Sequence, residues 1–195
     1  MHFRRFACFL LGLLIAGSGF MDVVAIHNFR GVDRYLAAPS LPAATQIHDM
    51  GRDNVRLLLR SFAGEQNRWY FEQWEWTEIA LCLAILLVIL LALTPSRLTL
   101  FLALALLAIA LGDRFGFTPQ ISRLGRVLED MQAATPPAER TLFWTLHGLY
   151  SGLEMLKLAL AMWLAAKLMI RGRPDRGLFA RSAADGEAQK SPTLQ

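Results

Sequence analysis

Long blocks of apolar residues alternate with mixed stretches along the chain. The first apolar run is Phe6 to Ile26, behind the basic start Met1-His2-Phe3-Arg4-Arg5. The second is Thr77 to Thr94, the third Leu98 to Gly112, and the fourth Leu142 to Ile170. A hydrocarbon layer of about 30 Å takes roughly 20 apolar residues in a helix. The pattern therefore predicts an all-α, polytopic membrane protein, a bundle of four transmembrane helices over 6–26, 77–94, 98–112 and 142–170. The first run also fits a signal peptide, with a basic start, an apolar stretch to Ala16, and the small residues Ala16-Gly17-Ser18-Gly19. Its apolar character continues through Val23, Val24 and Ile26, which favours a retained helix.

Helix punctuation supports these spans. Thr94-Pro95-Ser96-Arg97 is a very short link with Ser96 as an N-cap, so the second and third helices form an antiparallel hairpin. Thr135-Pro136-Pro137 reads as an N-cap followed by proline in the first turn. Arg171-Gly172-Arg173-Pro174 reads as a glycine C-cap and a stop. The tail, 171–195, is polar and small, and is expected to be disordered.

Two mixed segments lie between the spans. Residues 27–76 predict an amphipathic helix with Ile47, Met50, Asn54, Leu58 and Phe62 on one face. Arg52, Arg56 and Arg60 recur on another. Residues 113–141 predict a second, starting at Thr118-Pro119 with the stripe Ile121, Leu124, Leu128 and Met131.

Composition narrows the class. Hydrophobic residues make up 54% of 195 and charged ones 18%, which is too apolar for an ordinary soluble domain and excludes disorder for most of the length. Mean hydropathy is +0.36. Two cysteines, Cys8 and Cys82, build no disulfide framework. The net charge of +4 has its cheapest reading in topology, since basic residues flank apolar runs and no nucleic-acid-binding motif is present. Residues 1–5, the short link and the tail are dense in Arg and Lys, so both termini are expected in the cytoplasm. Trp69, Tyr70, Trp74, Trp76 and Trp144 then form an aromatic belt at the outer interface.

Span parity concentrates polar chemistry at one end. Asp22, His27, Glu72, Glu75, Glu78, Asp113, Arg114, His147 and Glu154 all fall there. On the fourth span His147, Ser151 and Glu154 share one line, and Lys157 is three residues from Glu154. Charges at bilayer depth face a bundle interior, which predicts a buried polar cluster of Asp22, Glu78, Asp113, Glu154 and Lys157. Its first reading is a packing device, its second a ligand or proton site. Gly148 and Gly152 form a step that lets another helix approach closely. His27 and His147 could together hold a cofactor, haem or a transition metal. A lone interfacial histidine is more often structural, and no E-x-x-H or C-x-x-C-H supports ligation. Glu72, Glu75 and Glu78 fall near one helical face and read first as a solvated acidic face beside aromatic anchors. No catalytic motif, nucleophile elbow or phosphate loop is present, and no catalytic residue is assigned.

Several short motifs resemble the four-helix membrane family related to human transmembrane protein 205, which is common in bacteria. They are Gly17-Ser18-Gly19-Phe20, Asn67-Arg68 with Phe71 and Trp74, Pro119-Gln120-Ile121, and Phe143-Trp144-Thr145-Leu146-His147-Gly148. A departure is Ile26-His27-Asn28-Phe29, where the family usually has a proline. The resemblance implies four spans and no settled activity. The expectation is a non-enzymatic accessory, assembly or interaction factor of a bacterial inner membrane. Its partners would be the lipid bilayer and other membrane proteins or further copies of itself. The alternatives are a haem- or metal-binding protein and a small transporter.

Overall fold

The computed structural model describes residues 2–92, 95–131 and 136–170. Among the described residues every regular element is helical: α1 (His2–Ala37), α2 (Leu41–Met50), α3 (Arg52–Ala92), α4 (Arg97–Gly112), a π-helical turn (Asp113–Phe117), α5 (Thr118–Met131) and α6 (Pro137–Ile170). Three helices are long and apolar enough to cross a membrane: α1, α3, and α4 running on into α5. α6 carries Glu154, Lys157 and Lys167 along its apolar run and is not one of those three. The expected cap at Thr135 and the expected stop at Gly172 and Pro174 lie outside the described residues, as does the tail.

One apolar core joins four of the helices. α1 supplies Leu11 and Leu14, α3 Ile85 and Ile89, α4 Leu102 and Leu106, and α6 Ala161 and Leu164. α1 packs against α3 and α6, and α4 packs against the same two, so the helices form a ring with adjacent members antiparallel. Ser96 caps α4 as expected, its hydroxyl accepting from the Thr99 N–H at 3.3 Å.

The helices overrun the predicted spans. α1 has 36 residues and α3 has 41, about 54 and 61 Å at 1.5 Å per residue. The separate amphipathic helix expected within 27–76 is therefore corrected. Its first part belongs to α1, its last part to α3, and only α2 stands apart. Gly51, at φ +82°, breaks the helix between Met50 and Arg52, a conformation glycine adopts without steric cost. Asn54, Leu58 and Phe62 recur at four-residue spacing on one face of α3 as the predicted stripe has them, but that face is turned outward. Met50, Leu58 and Phe62 are exposed, while Val55 and Ala63, with Leu59, pack on Val32 and Leu36 of α1. The arginines at four-residue spacing clamp this seam. Arg52 donates to the Leu36 carbonyl at 3.1 Å, and Arg60 reaches Asp33 at 3.0 Å with Arg56 at 3.8 Å.

The second segment differs in a similar way. α5 does begin at Thr118, but the chain reaches it from α4 through the π turn without a break. Leu124 is buried and Ile121 and Leu128 are half-buried, in keeping with the predicted stripe. Gly148 and Gly152 have no atom of another element near the place a Cβ would occupy. The close approach expected there does not occur among the described residues.

Candidate functional site: a charge knot beneath a side cavity

Lys157 is only 1% exposed, deep between the helices. Its ammonium has three N–H donors, and three carboxylates surround it. Glu154 lies at 2.6 Å, Glu78 at 2.7 Å and Asp113 at 3.4 Å. Ser18 of α1 donates to the other oxygen of Glu78 at 2.9 Å. α1, α3, the π turn and α6 thus meet at one lysine. A buried charge persists only when paired and hydrogen-bonded, and here every donor of the ammonium has an acceptor.

The π turn sets part of this geometry. A π turn inserts a residue into the α-helical register and often marks functional sites. Asp113 faces inward to Lys157, and its Oδ1 is buried without a hydrogen-bond partner. Arg114 faces the other way, pairs with Glu72 at 2.8 Å and lies over the Trp76 ring, 5.1 Å from its centroid.

Glu75 is 1% exposed. It accepts a short hydrogen bond from the Thr118 hydroxyl and one from Tyr150 at 3.4 Å. The solvated acidic face expected for Glu72, Glu75 and Glu78 is therefore corrected. Only Glu72 is partly in the open, and the other two point into the bundle, where Thr118 of α5 and Tyr150 and Lys157 of α6 reach across to them.

Beside the knot is a cavity of about 730 Å³, within the range of small-molecule sites. α3 and α5 make its floor through Asn67, Arg68, Phe71, Glu75, Ile121 and Ser122. All the exposed residues in its wall belong to α1 and α6: Asp22, Ile26, Phe29, His147, Ser151 and Met155. The mouth accordingly lies between α1 and α6, which touch in the apolar half through Leu11, Leu14, Ala161 and Leu164.

Polar contacts brace the floor. Arg68 holds Glu129 of α5 with two bonds of 3.0 and 2.8 Å and Glu65 of its own helix at 3.2 Å. Arg126 also holds Glu65, at 3.1 Å. Asn67 joins Asn28 at 2.6 Å and the Ala25 carbonyl at 3.3 Å. Glu65 lies ahead of the apolar run that starts at Thr77, and its bonds to Arg68 and Arg126 hold its carboxyl below the ordinary value. A depressed folded pKa contributes stability above the unfolded pKa, and that contribution is lost as pH falls through the folded one. The brace is therefore expected to weaken under acid. In a double-mutant cycle, Arg68→Ala and Glu129→Ala should couple by about 1 kcal/mol at neutral pH, since the pair is bidentate and partly buried. Chemical unfolding in detergent reads this, and additive losses would contradict it.

The residues singled out in the sequence separate into two groups. Glu78, Asp113, Glu154 and Lys157 come together in the knot, while Asp22 lies exposed in the cavity wall with no hydrogen bond or ion pair among the described residues. His27 and His147 have different surroundings. His27 is exposed, contacts Arg34 of its own helix at 3.2 Å, and is absent from the cavity wall. His147 is in that wall, stacked on Phe143 with ring centroids 5.8 Å apart. Residues 27 and 34 are seven apart on one helix, two turns along the same face, so His27 finds its partner locally. Among the described residues, no group of three or more His, Cys, Asp or Glu is arranged to hold a metal ion.

Ser151 donates to the backbone carbonyl of His147 at 2.9 Å. Its hydroxyl is engaged with backbone, whereas a nucleophile would need a base at that distance. Ser18, Thr118 and Tyr150 carry no site assignment in the sequence, and Glu75 is placed there on a solvated face. The line Tyr150 and Glu154, four apart on α6, could have suggested the tyrosine; nothing local distinguishes Ser18 or Thr118. Compared with family models, curated proteins and solved structures, the chain has no match.

Proposed function

We propose that the chain is a four-span, non-enzymatic protein of the bacterial inner membrane that binds a small molecule in the cavity at its outer end, with both termini cytoplasmic. The observation that carries this is the cavity itself, which has largely apolar walls and a few converging polar groups, the common form of a ligand site. The relation to the family of transmembrane protein 205 is part of the same proposal and supports four crossings. α6 would be the fourth span, its charges Glu154 and Lys157 satisfied inside the bundle. The accessory role would be exercised through the bound molecule. Gly148 and Gly152 leave a smooth strip on α6 for a second copy or a neighbouring membrane protein. The packed core beneath the knot favours binding over transport, because Leu11, Ile89, Leu106 and Leu164 close the opposite half.

Native mass spectrometry of the detergent-purified protein tests the binding reading. A small-molecule adduct, or stabilisation by a soluble ligand panel, is expected in the wild type and should be lost in Ser122→Trp, whose indole would occupy the cavity. Identical behaviour of the two proteins would overturn it.

A further inference from the structure

We infer that the cavity is selective for a lipophilic organic cation, with Asp22 as its counter-charge. This rests on the cavity being a binding site, and it adds the class of ligand.

The wall carries four carboxylates, Asp22, Glu75, Glu129 and Glu154, and one guanidinium, Arg68. Arg68 is committed to Glu129 and Glu65. Glu154 is committed to Lys157, whose remaining donors go to Glu78 and Asp113. Glu75 is served on one oxygen by two hydroxyls, while its buried Oε2 has no hydrogen bond. The nearest cation to that oxygen is Arg114, at 4.0 Å and already bonded to Glu72. Asp22 remains, with no hydrogen bond or ion pair among the described residues; the cation that acts on it from a distance, Lys157, is already shared by three carboxylates. The surroundings thus hold more carboxylate than cation, in a site whose apolar walls weaken dielectric screening. An incoming cation meets complementary charge, and an anion meets repulsion.

The shape of the wall fits the rest of such a molecule. Ile26 and Phe29 on one side of the mouth and Met155 on the other offer apolar surface, and all three are exposed. Inside, Phe71 and Tyr150 meet edge to face at 6.5 Å, and aromatic faces attract cations. Asp22 on α1 and Glu154 on α6 flank the mouth from opposite sides, so a charged centre would sit between them with its apolar groups against the floor.

The test uses the full-length protein in detergent and three probes of similar size: tetraphenylphosphonium, triphenylphosphine oxide and tetraphenylborate. Equilibrium dialysis is expected to show the phosphonium binding at least about tenfold more tightly than the neutral oxide, with the borate weakest. Asp22→Asn should remove most of that preference without lowering the melting temperature, because Asp22 ties no element to another. Equal binding of the cation and the neutral probe would overturn the charge selectivity and leave the cavity reading standing. Binding of none of the three, with no change in Ser122→Trp, would overturn both.

Discussion

Replacing Lys157 with methionine is expected to cost about 3–5 kcal/mol of stability, the usual penalty for removing one partner of a buried ion pair. Methionine nearly preserves the volume, so packing is little disturbed. What changes is charge. Glu78, Asp113 and Glu154 lose the ammonium they share, and Glu78 and Asp113 have almost no exposure to water. Those carboxyls would have to protonate or pull water into the bundle. Once Lys157 is gone, neutralising Glu78 relieves part of the repulsion among the three carboxylates. Lys157→Met combined with Glu78→Gln is therefore expected to be more stable than the sum of the two single losses. Unfolding in mixed detergent micelles measures all three variants. A loss below about 1 kcal/mol for Lys157→Met would fit a surface pair rather than a buried one.

Gly17→Leu is the second large effect. A Cβ at Gly17 would fall inside the indole ring of Trp74, so any side chain there must displace the ring. Trp74 is half-buried on α3 against Gly17 of α1, and a displaced ring would give up that contact. Overpacking of this kind costs about 1–3 kcal/mol for small excesses, and leucine against a tryptophan lies at the upper end. Gly17→Ala should cost less, and Trp74→Leu should relieve part of either loss. A cycle over Gly17 and Trp74 measured by thermal unfolding reads the coupling, and simple additivity would count against the contact.

The chain's helical character and the polar end of the bundle are legible in the apolar runs, because a membrane helix needs its own internal hydrogen bonds and a long apolar surface. The Lys157–Glu154 pair is legible from local spacing alone. Its other partners are not. Glu78 and Asp113 lie 79 and 44 residues from Lys157 in the chain, and only the packing of α3 and the π turn decides that they face inward. The same holds for Glu75, whose spacing with Glu72 and Glu78 is equally consistent with a wet face. Residues 27–76 differ in another way. Periodicity groups Asn54, Leu58 and Phe62 on one face of α3 but leaves open which face packs, and the seam on α1 is made by Val55, Leu59 and Ala63 instead. His27 and His147 share an end of the bundle by parity, yet parity fixes depth and leaves azimuth open. His27 points along α1 to Arg34, and His147 lines the cavity.

Four crossings underlie both the proposed function and the position of the mouth between α1 and α6. Cysteine accessibility from the two sides of intact cells tests this most directly. In a background with Cys8→Ser and Cys82→Ser, single cysteines are placed at His2, Gln66 and Gln120 and after Gln195. The account predicts that positions 66 and 120 react with a membrane-impermeant maleimide from outside, and that the two terminal cysteines react only after the cells are opened. Reaction of the C-terminal cysteine from the same side as position 120 would show that α6 does not cross, and would contradict the four-span account.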